Sequence, residues 1–283
     1  MLFLSYFFLK VSLYFYVPIF LSVTMGIIYI GDRETGKTSL ALELANPSSN
    51  NFVKVISPPY NELKALLWDD VAGRTRATDG REATYDRTLE IEVFLSTRRK
   101  TIYTDWVDTP GEIWRGSWQK NNPDKWAKFV ETAHSSQGVI LVVPPYREII
   151  GQGMGSNPDE FITQQQWVRR FDSWVSFFRY ECPNVKHIAL CLNKVDLLQG
   201  IDLKQEAQKL AFHPHSSRMN WNQRNDYIFK RFFRPLRSHI AQLNRYTSGL
   251  TGLTVRCFIT SIYNRELLEL PWIYLGIYLK SDI

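Results

Sequence analysis

The stretch IIYIGDRETGKTSLALELA, from Ile27 to Ala45, sets four apolar residues before a charged loop and a helical pattern after it. The loop from Gly31 to Thr38 has the spacing G-x-x-x-x-G-K-T. Its glycines allow the backbone to wrap closely, so that N–H groups point inward at phosphate oxygens. The helix adds the positive end of its dipole, and a strand before the loop is the context that this motif requires. The stretch therefore predicts a phosphate-binding loop.

The side chains of this loop predict which parts of a nucleotide it contacts. We expect Lys37 to reach the β- and γ-phosphates and the hydroxyl of Thr38 to bind Mg²⁺. The residues expected to contact the nucleotide here are Gly31, Asp32, Arg33, Glu34, Thr35, Gly36, Lys37, Thr38 and Ser39.

A second motif, DWVDTPGE, closes an apolar strand downstream of the loop. Asp108 stands at the end of that strand, where a carboxylate can hold Mg²⁺ through water. Gly111 is flexible and can offer its N–H to a γ-phosphate. The pattern D-x-x-G is weak alone, and its place after the phosphate loop is what strengthens it.

A third motif, HIALCLNKVD, predicts the base. A carboxylate at Asp196 can accept hydrogen bonds from N1–H and the exocyclic amine of guanine, whereas adenine has neither donor there. The wrong base would leave a buried carboxylate unpaired, a penalty on the order of 10⁴-fold in selectivity. We expect Asn193 to bond the base edge and the stem of Lys194 to lie along the ring. An ATPase, the weaker alternative, requires Asp196 to point away from the base.

GDRETGKT, DTPG and NKVD in this order resemble the Ras-like P-loop GTPases of the translation-factor-related class. The resemblance implies a six-stranded sheet with guanine nucleotide and Mg²⁺ at the carboxyl ends of the strands. It also implies a fifth motif of the Ser-Ala-Lys type behind the guanine. ITSIYN occupies that place, so Ser261 matches while Ile262 and Tyr263 replace the other two residues. We expect Ser261 and Ile262 to contact the base.

The resemblance further implies a switch-one threonine that completes the metal site with Thr38 and Asp108. Four threonines compete for this role. Thr84 lies four residues before TLEIEV and fits the family spacing best, and Thr78 is second; the remaining candidates are Thr75 and Thr88.

The catalytic residues leave alternatives open. Glu112 stands where Ras-like members carry a glutamine that orients water, and it either acts on the water or is a solvated switch residue. Arg33 either serves as an internal arginine finger or pairs at the surface with Glu34 or Glu112. We expect slow hydrolysis of GTP, assisted by a partner. The alternative is a GTP-binding assembly module that hardly hydrolyses.

The pattern along the chain predicts an α/β fold. Helical patterns separate most of the apolar runs, which indicates a mainly parallel three-layer sheet with helices on both faces. TLEIEVFLSTRRKTIYTDWVD predicts a hairpin and hence one antiparallel edge strand. The predicted strands are 27–30, 89–95, 101–107, 138–143, 187–192 and 253–259.

Residues 25–283 are expected to form one elaborated domain with two insertions. The first, near 46–83, resembles a long loop with some local helix, and the second, near 200–250, carries extra helices. Pro235 argues against a continuous helix in the second insertion. Pro271 interrupts the final helical pattern, so we expect that helix to start late or to form two pieces.

Residues 1–24 are almost wholly apolar and aromatic, with Lys10 as their one charge. Three interpretations stay open: a start-site error before Met25, a membrane anchor, or an extra packed element. The length suits a membrane span, although a span joined directly to a central strand leaves the domain little room beside the bilayer. We expect a cytoplasmic protein, with membrane contact if this segment is an anchor.

The composition excludes little. Apolar residues at 45% and charged residues at 22% are ordinary for a globular protein. The net charge of +6 permits an anionic partner, and no specific nucleic acid is expected. The odd number of cysteines, three without CxxC spacing, indicates a reducing compartment and no disulfide framework.

Two surface features have competing interpretations. Trp114, Trp118 and Trp126 follow the second motif and either anchor a protein partner or fold back as core. On 226–243, cations lie opposite apolar residues, which indicates a membrane or acidic-partner patch, or a solvated helix face. These cations are Lys230, Arg231, Arg234 and Arg237, and the apolar residues are Ile228, Phe232, Leu236 and Ile240.

Overall fold

The computed structural model describes residues 26–32, 35–47, 52–70, 74–75, 87–96, 98–107, 113–114, 116–151, 157–244 and 252–279. The strands are β1 (Gly26–Gly31), β2 (Val53–Ser57), β3 (Trp68–Asp69), β4 (Arg74–Thr75), β5 (Arg87–Leu95), β6 (Arg98–Trp106), β7 (Gly138–Val143), β8 (His187–Leu192) and β9 (Thr254–Ile259). The α-helices are α1 (Lys37–Ala45), α2 (Tyr60–Leu67), α3 (Gly116–Asn121), α4 (Pro123–Ser135), α5 (Gln164–Tyr180), α6 (Leu203–Leu210), α7 (Trp221–Ile228), α8 (Arg237–Leu243) and α9 (Arg265–Tyr278).

Seven strands form the main sheet in the order β2-β5-β6-β1-β7-β8-β9. The last five of these are parallel, whereas β5 is antiparallel to both of its neighbours. The predicted mainly parallel α/β sheet with antiparallel pairing at one edge is confirmed. The sheet has seven strands rather than six, because β2 adds to the outer side of the predicted hairpin.

Strand β2 lies inside the segment that the sequence predicted as loop. Val53 is fully buried and Lys54 is exposed, so the strand has one inner and one outer face. The alternation of VKV carries that period-two signal, but it is short and stands among polar residues. The local helix expected in the same insertion is α2.

Both faces of the central sheet are covered. Every residue of β7 is buried, and so are all residues of β8 after His187. Strands buried on both faces consist of continuous apolar runs, as GVILVV does. The carboxyl ends of these strands therefore meet at one edge of a well-packed sheet.

Helix α9 runs unbroken through Pro271, so the expectation of a late start or two pieces was wrong. Proline removes one helical hydrogen bond and crowds the preceding turn, at a cost of about 3 kcal/mol. Residues 267–276 are all buried, and Gly276 lies so close to β5 that an added Cβ would be 3.1 Å from Val93 Cγ1. Burial of that many apolar side chains outweighs the cost of the proline.

The second insertion contains the expected helices, and its last part breaks as predicted. After α7 the chain makes a π-helical turn, Phe229–Phe233, and a 3₁₀ turn, Arg234–Leu236, before α8 begins. The apolar residues of the amphipathic pattern are buried, whereas Lys230, Arg234 and Arg237 are exposed. Arg231 is exposed as well, and its Nη1 donates to the buried carboxylate of Glu206 at 2.7 Å.

Two further properties bear on earlier expectations. Cys182, Cys191 and Cys257 are buried free thiols. In the part of the chain that the structure describes, no helix combines the length and the apolar character needed to cross a bilayer.

Candidate functional site

The loop after β1 is built around two close approaches that only glycine allows. A Cβ on Gly31 would lie 2.2 Å from the carbonyl oxygen of Val142 in β7. Gly36 has φ +84°, and a Cβ there would lie 2.6 Å from Asn193 Nδ2. Left-handed backbone and close packing both exclude a side chain at Gly36.

The loop closes around the ammonium group of Lys37. Lys37 is 4% exposed, and its Nζ donates to the carbonyl oxygens of Gly31 and Asp32, each at 2.7 Å. Thr35 Oγ1 donates to the carbonyl of Asp32 at 2.9 Å, and Tyr29 Oη donates to the carbonyl of Lys37 at 3.0 Å. The loop thus holds a buried positive charge at the start of α1, where Thr38 and Ser39 are half-buried.

The carboxyl group of Asp32 faces helix α5. Burial raises the pKa of Asp32, and the cations of Arg170 and Lys37 act against that rise. The indole of Trp174 also favours the charged form. Arg170 and Trp174 were not predicted as neighbours of this loop, because the packing of α5 against it is not visible in the sequence.

Asn193 joins the phosphate loop to the loop after β8. Its side chain is 2% exposed, and Nδ2 donates to the carbonyl oxygen of Thr35 at 2.8 Å. Its Oδ1 accepts from Thr260 Oγ1 at 3.2 Å. The sequence predicted that Asn193 would bond the base edge, and the tie to Thr35 was not foreseen. An amide nitrogen has two hydrogens, so the tie and a bond to a ligand are compatible.

The predicted guanine residues after β8 and β9 also meet. Ser261 is fully buried and donates from Oγ to Asp196 Oδ1 at 2.5 Å. The backbone N–H of Tyr263 donates to the same Oγ at 3.2 Å. Lys194 has a left-handed φ of +58°, and Ile262 is 36% exposed. The structure therefore brings three of the predicted loops together at the carboxyl ends of β1, β8 and β9.

Several predicted site residues lie outside the described residues: Arg33, Glu34, Thr78, Thr84, Asp108, Gly111 and Glu112. Of the other candidate switch-one threonines, Thr75 pairs with Trp68 in the ladder of β3 and β4. Thr88 lies in β5, where its Oγ1 donates to Asp105 Oδ1 at 3.2 Å. Within the described ranges, no three His, Cys, Asp or Glu side chains form a group that could hold a metal.

The tryptophans after the second motif are half-buried and pack against the core. The ring centroid of Trp114 lies 4.6 Å from that of Trp174 and 6.1 Å from that of Trp126. Phe177 joins the same cluster, with its ring 5.3 Å from Trp114. The described part of this segment therefore folds back against α4 and α5, which is the second of the two interpretations of the sequence.

Comparison with known proteins gives no family. No protein-family model matches the chain, and no curated protein matches it.

Solved structures share a distant likeness with it. A GTP-binding protein from the hyperthermophilic archaeon Sulfolobus solfataricus, in complex with GDP, is 15% identical over 92% of this chain, with a TM-score of 0.42. Two single-residue variants of a protein abbreviated SsGBP are each 14% identical over 90% of this chain, with TM-scores of 0.42 and 0.43. This chain spans 54% to 58% of the length of these proteins. At this identity the likeness concerns the fold alone.

Proposed function

We propose that this protein binds GTP and GDP with Mg²⁺ at the carboxyl ends of β1, β8 and β9, and hydrolyses GTP slowly with the help of a partner. The observation that carries the proposal is the 2.8 Å bond from Asn193 Nδ2 to the carbonyl oxygen of Thr35. This bond joins the proposed phosphate-binding loop after β1 to the proposed guanine-binding loop after β8.

The proposed phosphate site depends on a buried positive charge and on the close approach of the backbone to the ligand. Lys37 lies buried beside the carbonyls of Gly31 and Asp32, so a positive charge is in place where phosphate would bind. Gly36 begins α1 with left-handed backbone, which aims the first N–H groups of the helix toward the loop. Both features favour a polyanionic ligand.

The proposed guanine site depends on the orientation of the Asp196 carboxylate. Ser261 Oγ binds one oxygen of Asp196 and thereby fixes the plane of the carboxylate. We propose that Asp196 accepts from N1–H and the exocyclic amine of guanine. A base without these donors would leave Asp196 with Ser261 Oγ as its one described donor, and we expect a loss of up to about 10⁴-fold in selectivity.

The proposed metal site uses hydroxyl and carboxylate oxygens, the ligands that Mg²⁺ prefers. Thr38 follows Lys37 in the first turn of α1. Asp108 stands two residues after the end of β6, and β6 is the neighbour of β1 in the sheet. We propose Thr38, Asp108 and Thr84 as the residues that hold the ion directly or through water. When bound, Mg²⁺ would neutralise charge on the β- and γ-phosphates.

Hydrolysis requires a positioned water and added positive charge. We propose Glu112 for the first task and Arg33 for the second, with Gly111 offering its N–H to the γ-phosphate. A protein partner would supply what these groups lack.

A second candidate is a GTP-binding assembly module with little hydrolysis. The packing of Trp114 against Trp174 and Phe177 favours it, because an anchored segment two residues after Glu112 is less free to assemble a catalytic site. The two candidates differ in turnover and agree on binding.

A single-turnover time course with the full chain, Mg²⁺ and either GTP or ATP separates the candidates. Turnover of GTP alone supports the proposed GTPase. Tight GTP binding without turnover supports the assembly module. Equal use of ATP contradicts the assignment of the base.

Replacement Asp196→Asn tests the base contact directly. An amide donates where the carboxylate accepted, so we expect guanine affinity to fall by about 10² to 10⁴ and xanthine to become the preferred base. Asp202→Asn is the matched control, since Asp202 Oδ1 caps α6 by accepting from the N–H of Gln205 and asparagine caps equally well. An unchanged base preference in Asp196→Asn would contradict the assignment of Asp196 as the guanine-binding carboxylate.

A further inference from the structure

A groove of about 390 Å³ opens where α4, α5 and the segment at Trp114 meet. Four aromatic rings line it, those of Trp114, Trp126, Phe177 and Tyr180. The first three rings are inclined to one another by 57° to 79°, and their centroids lie 5.3 to 6.1 Å apart. The volume lies toward the lower end of the range of ligand pockets, about 300 to 1,000 Å³, and is enough for one inserted side chain.

The groove is open to solvent along its rim. Tyr180 is 70% exposed, and the side chain of Asp172 is 65% exposed. Trp114 and Trp126 are half-buried and pack against the core. The two indoles therefore form the floor of the groove and do not project from it, so the group that enters the groove has to come from a partner.

Two carboxylates line the groove, and among the described residues no Lys or Arg does. Asp172 and Glu181 belong to the lining together with Ser173 and Ser176. His239 Nε2 lies 2.7 Å from Asp172 Oδ1. Within the described part of the chain, neither Asp172 Oδ2 nor the carboxylate of Glu181 accepts a hydrogen bond. The groove thus keeps acceptor capacity for a donor from outside the molecule.

This negative charge is local to the groove. Helices α4 and α5, taken with Glu181, carry five Lys or Arg residues and four Asp or Glu residues, so their combined surface is nearly neutral. Arg179 lies next to the lining, and its Cζ is 5.3 Å from the ring centroid of Tyr180. That contact shows a guanidinium already stacked on one of the lining rings. A partner would be recognised by contacts inside the groove and not by long-range attraction.

Aromatic rings beside carboxylates suit a guanidinium better than an ammonium group. A guanidinium is planar, stacks on aromatic faces and can donate two parallel hydrogen bonds to one carboxylate. Of the aromatic side chains, tryptophan attracts cations most strongly. Arginine, tryptophan and tyrosine are also the residues that contribute most to the binding energy of protein interfaces. The lining therefore favours an arginine side chain presented by a protein.

We infer that this groove docks a protein partner that inserts an arginine side chain between the indoles of Trp114 and Trp126 and the carboxylates of Asp172 and Glu181. Lipid headgroups and nucleic acids present phosphates, which the two carboxylates would repel. The inference does not depend on the nucleotide chemistry proposed above, and either can fail alone.

The first test uses two short peptides that differ in charge. Tri-arginine and tri-citrulline amides with the same fluorescent label have side chains of nearly equal shape, and citrulline is neutral. With the full chain at about 0.1 M salt, we expect fluorescence anisotropy to show at least about tenfold tighter binding of tri-arginine, because only the cation gains from the rings and the carboxylates. Equal affinities of the two peptides overturn the inference.

The second test removes one charge from the rim. Glu181→Gln keeps the shape of the side chain, so the affinity for tri-arginine should fall about twofold to fivefold while that for tri-citrulline stays the same. Glu131→Gln is the matched control, at an exposed position of α4 outside the lining, and should change neither affinity. A loss of equal size in the two variants would mean that tri-arginine is held by general attraction, which overturns the inference.

The third test fills the groove from within. Ser176 is exposed and belongs to the lining, so Ser176→Arg gives the groove an occupant of its own and should weaken tri-arginine binding by at least about tenfold. Gln165→Arg adds the same charge at an exposed position of the same helix, about 16 Å away, where salt screens most of its effect. We expect that control to stay within about twofold of the parent protein. Unchanged binding to Ser176→Arg overturns the inference.

Discussion

Two carboxylates ten residues apart, the buried Glu206 and the half-buried Asp196, differ in how fully the fold engages their oxygens. Glu206 in the helical insertion is 2% exposed, and the one proton of Tyr227 Oη is shared between its two oxygens, which lie 2.9 and 3.1 Å from Oη. Arg231 adds a bond at 2.7 Å. Asp196, at the carboxyl end of β8, has one described donor, Ser261 Oγ, on one of its oxygens.

The difference separates a carboxylate whose oxygens are all engaged within the fold from one that keeps acceptor capacity. A buried carboxylate whose oxygens are all engaged serves the structure around it. A carboxylate that is oriented by one neighbour and still has acceptor capacity is prepared for another molecule. Glu206 in the α6–α8 insertion is of the first kind, and we propose that Asp196 after β8 is of the second.

The largest effect is expected from Glu206→Ala. Removing the carboxylate takes away the buried partner of the Tyr227 hydroxyl and of the solvent-exposed Arg231, so we expect the free energy of unfolding to fall by about 2 to 3 kcal/mol. Guanine nucleotide affinity of the folded protein should stay within about twofold, because the described partners of Glu206 are Tyr227, Arg231 and Lys209, none of them a candidate site residue. Urea denaturation gives the first quantity and nucleotide titration the second. Glu131→Ala, an exposed position in α4, is the control. If Glu206→Ala strongly weakened nucleotide binding and left the free energy of unfolding unchanged, Glu206 would belong to the ligand site rather than to the fold.

A smaller effect is expected from Gly36→Ala, with Gly200→Ala as its match. Both glycines have positive φ, at +84° and +69°, and only Gly36 is crowded. Each change should cost about 1 to 2 kcal/mol of stability through backbone strain. Gly36→Ala should in addition displace Asn193 and weaken nucleotide binding by about tenfold or more. Equal nucleotide affinity in the two variants would show that the tie between Asn193 and Thr35 is not part of the binding site.

The smallest effect concerns His187 at the other end of β8. Burial, with Arg256 and Lys186 nearby, lowers its pKa from the ordinary 6.5 to about 4, and Nδ1 lies 2.9 Å from Tyr274 Oη. Between those two pH values the unfolded chain binds more protons than the folded one, so stability falls as pH drops from 6.5 toward 4. We expect His187→Gln to remove about 1 to 2 kcal/mol of the loss between pH 7 and pH 5, measured by urea denaturation. An identical pH dependence in the variant would mean that His187 stays accessible to protons.

The elements that the sequence predicted are those whose signal is local. Six strands and the helices between them were visible because apolar runs and helical periods lie in single stretches. The glycines at 31 and 36 were predicted to let the loop wrap closely around phosphate, and that contact stays a prediction. The structure shows instead that both glycines lie close to protein atoms, Val142 O and Asn193 Nδ2. Pro235 breaks the insertion as its missing N–H requires.

What the sequence concealed depends on contacts between distant residues. Pro271 signals a break, yet burial on all sides of α9 overrides it. The bond between Asn193 and Thr35 joins residues 158 positions apart, and no pattern in either loop announces it. Arg170 stands beside Asp32 only because α5 packs there. Such pairs become visible once the order of the strands is known.

The contact between Trp114 and Trp174 gives the molecule an optical signal of its own. Their ring planes cross at 79° with centroids 4.6 Å apart, close enough for the two indole transitions to couple. Trp114 stands two residues after Glu112, and Trp174 faces Asp32 of the phosphate loop. A rearrangement of either loop would therefore change the near-ultraviolet circular dichroism of the protein, so the proposed binding of nucleotide can be tested without any attached dye.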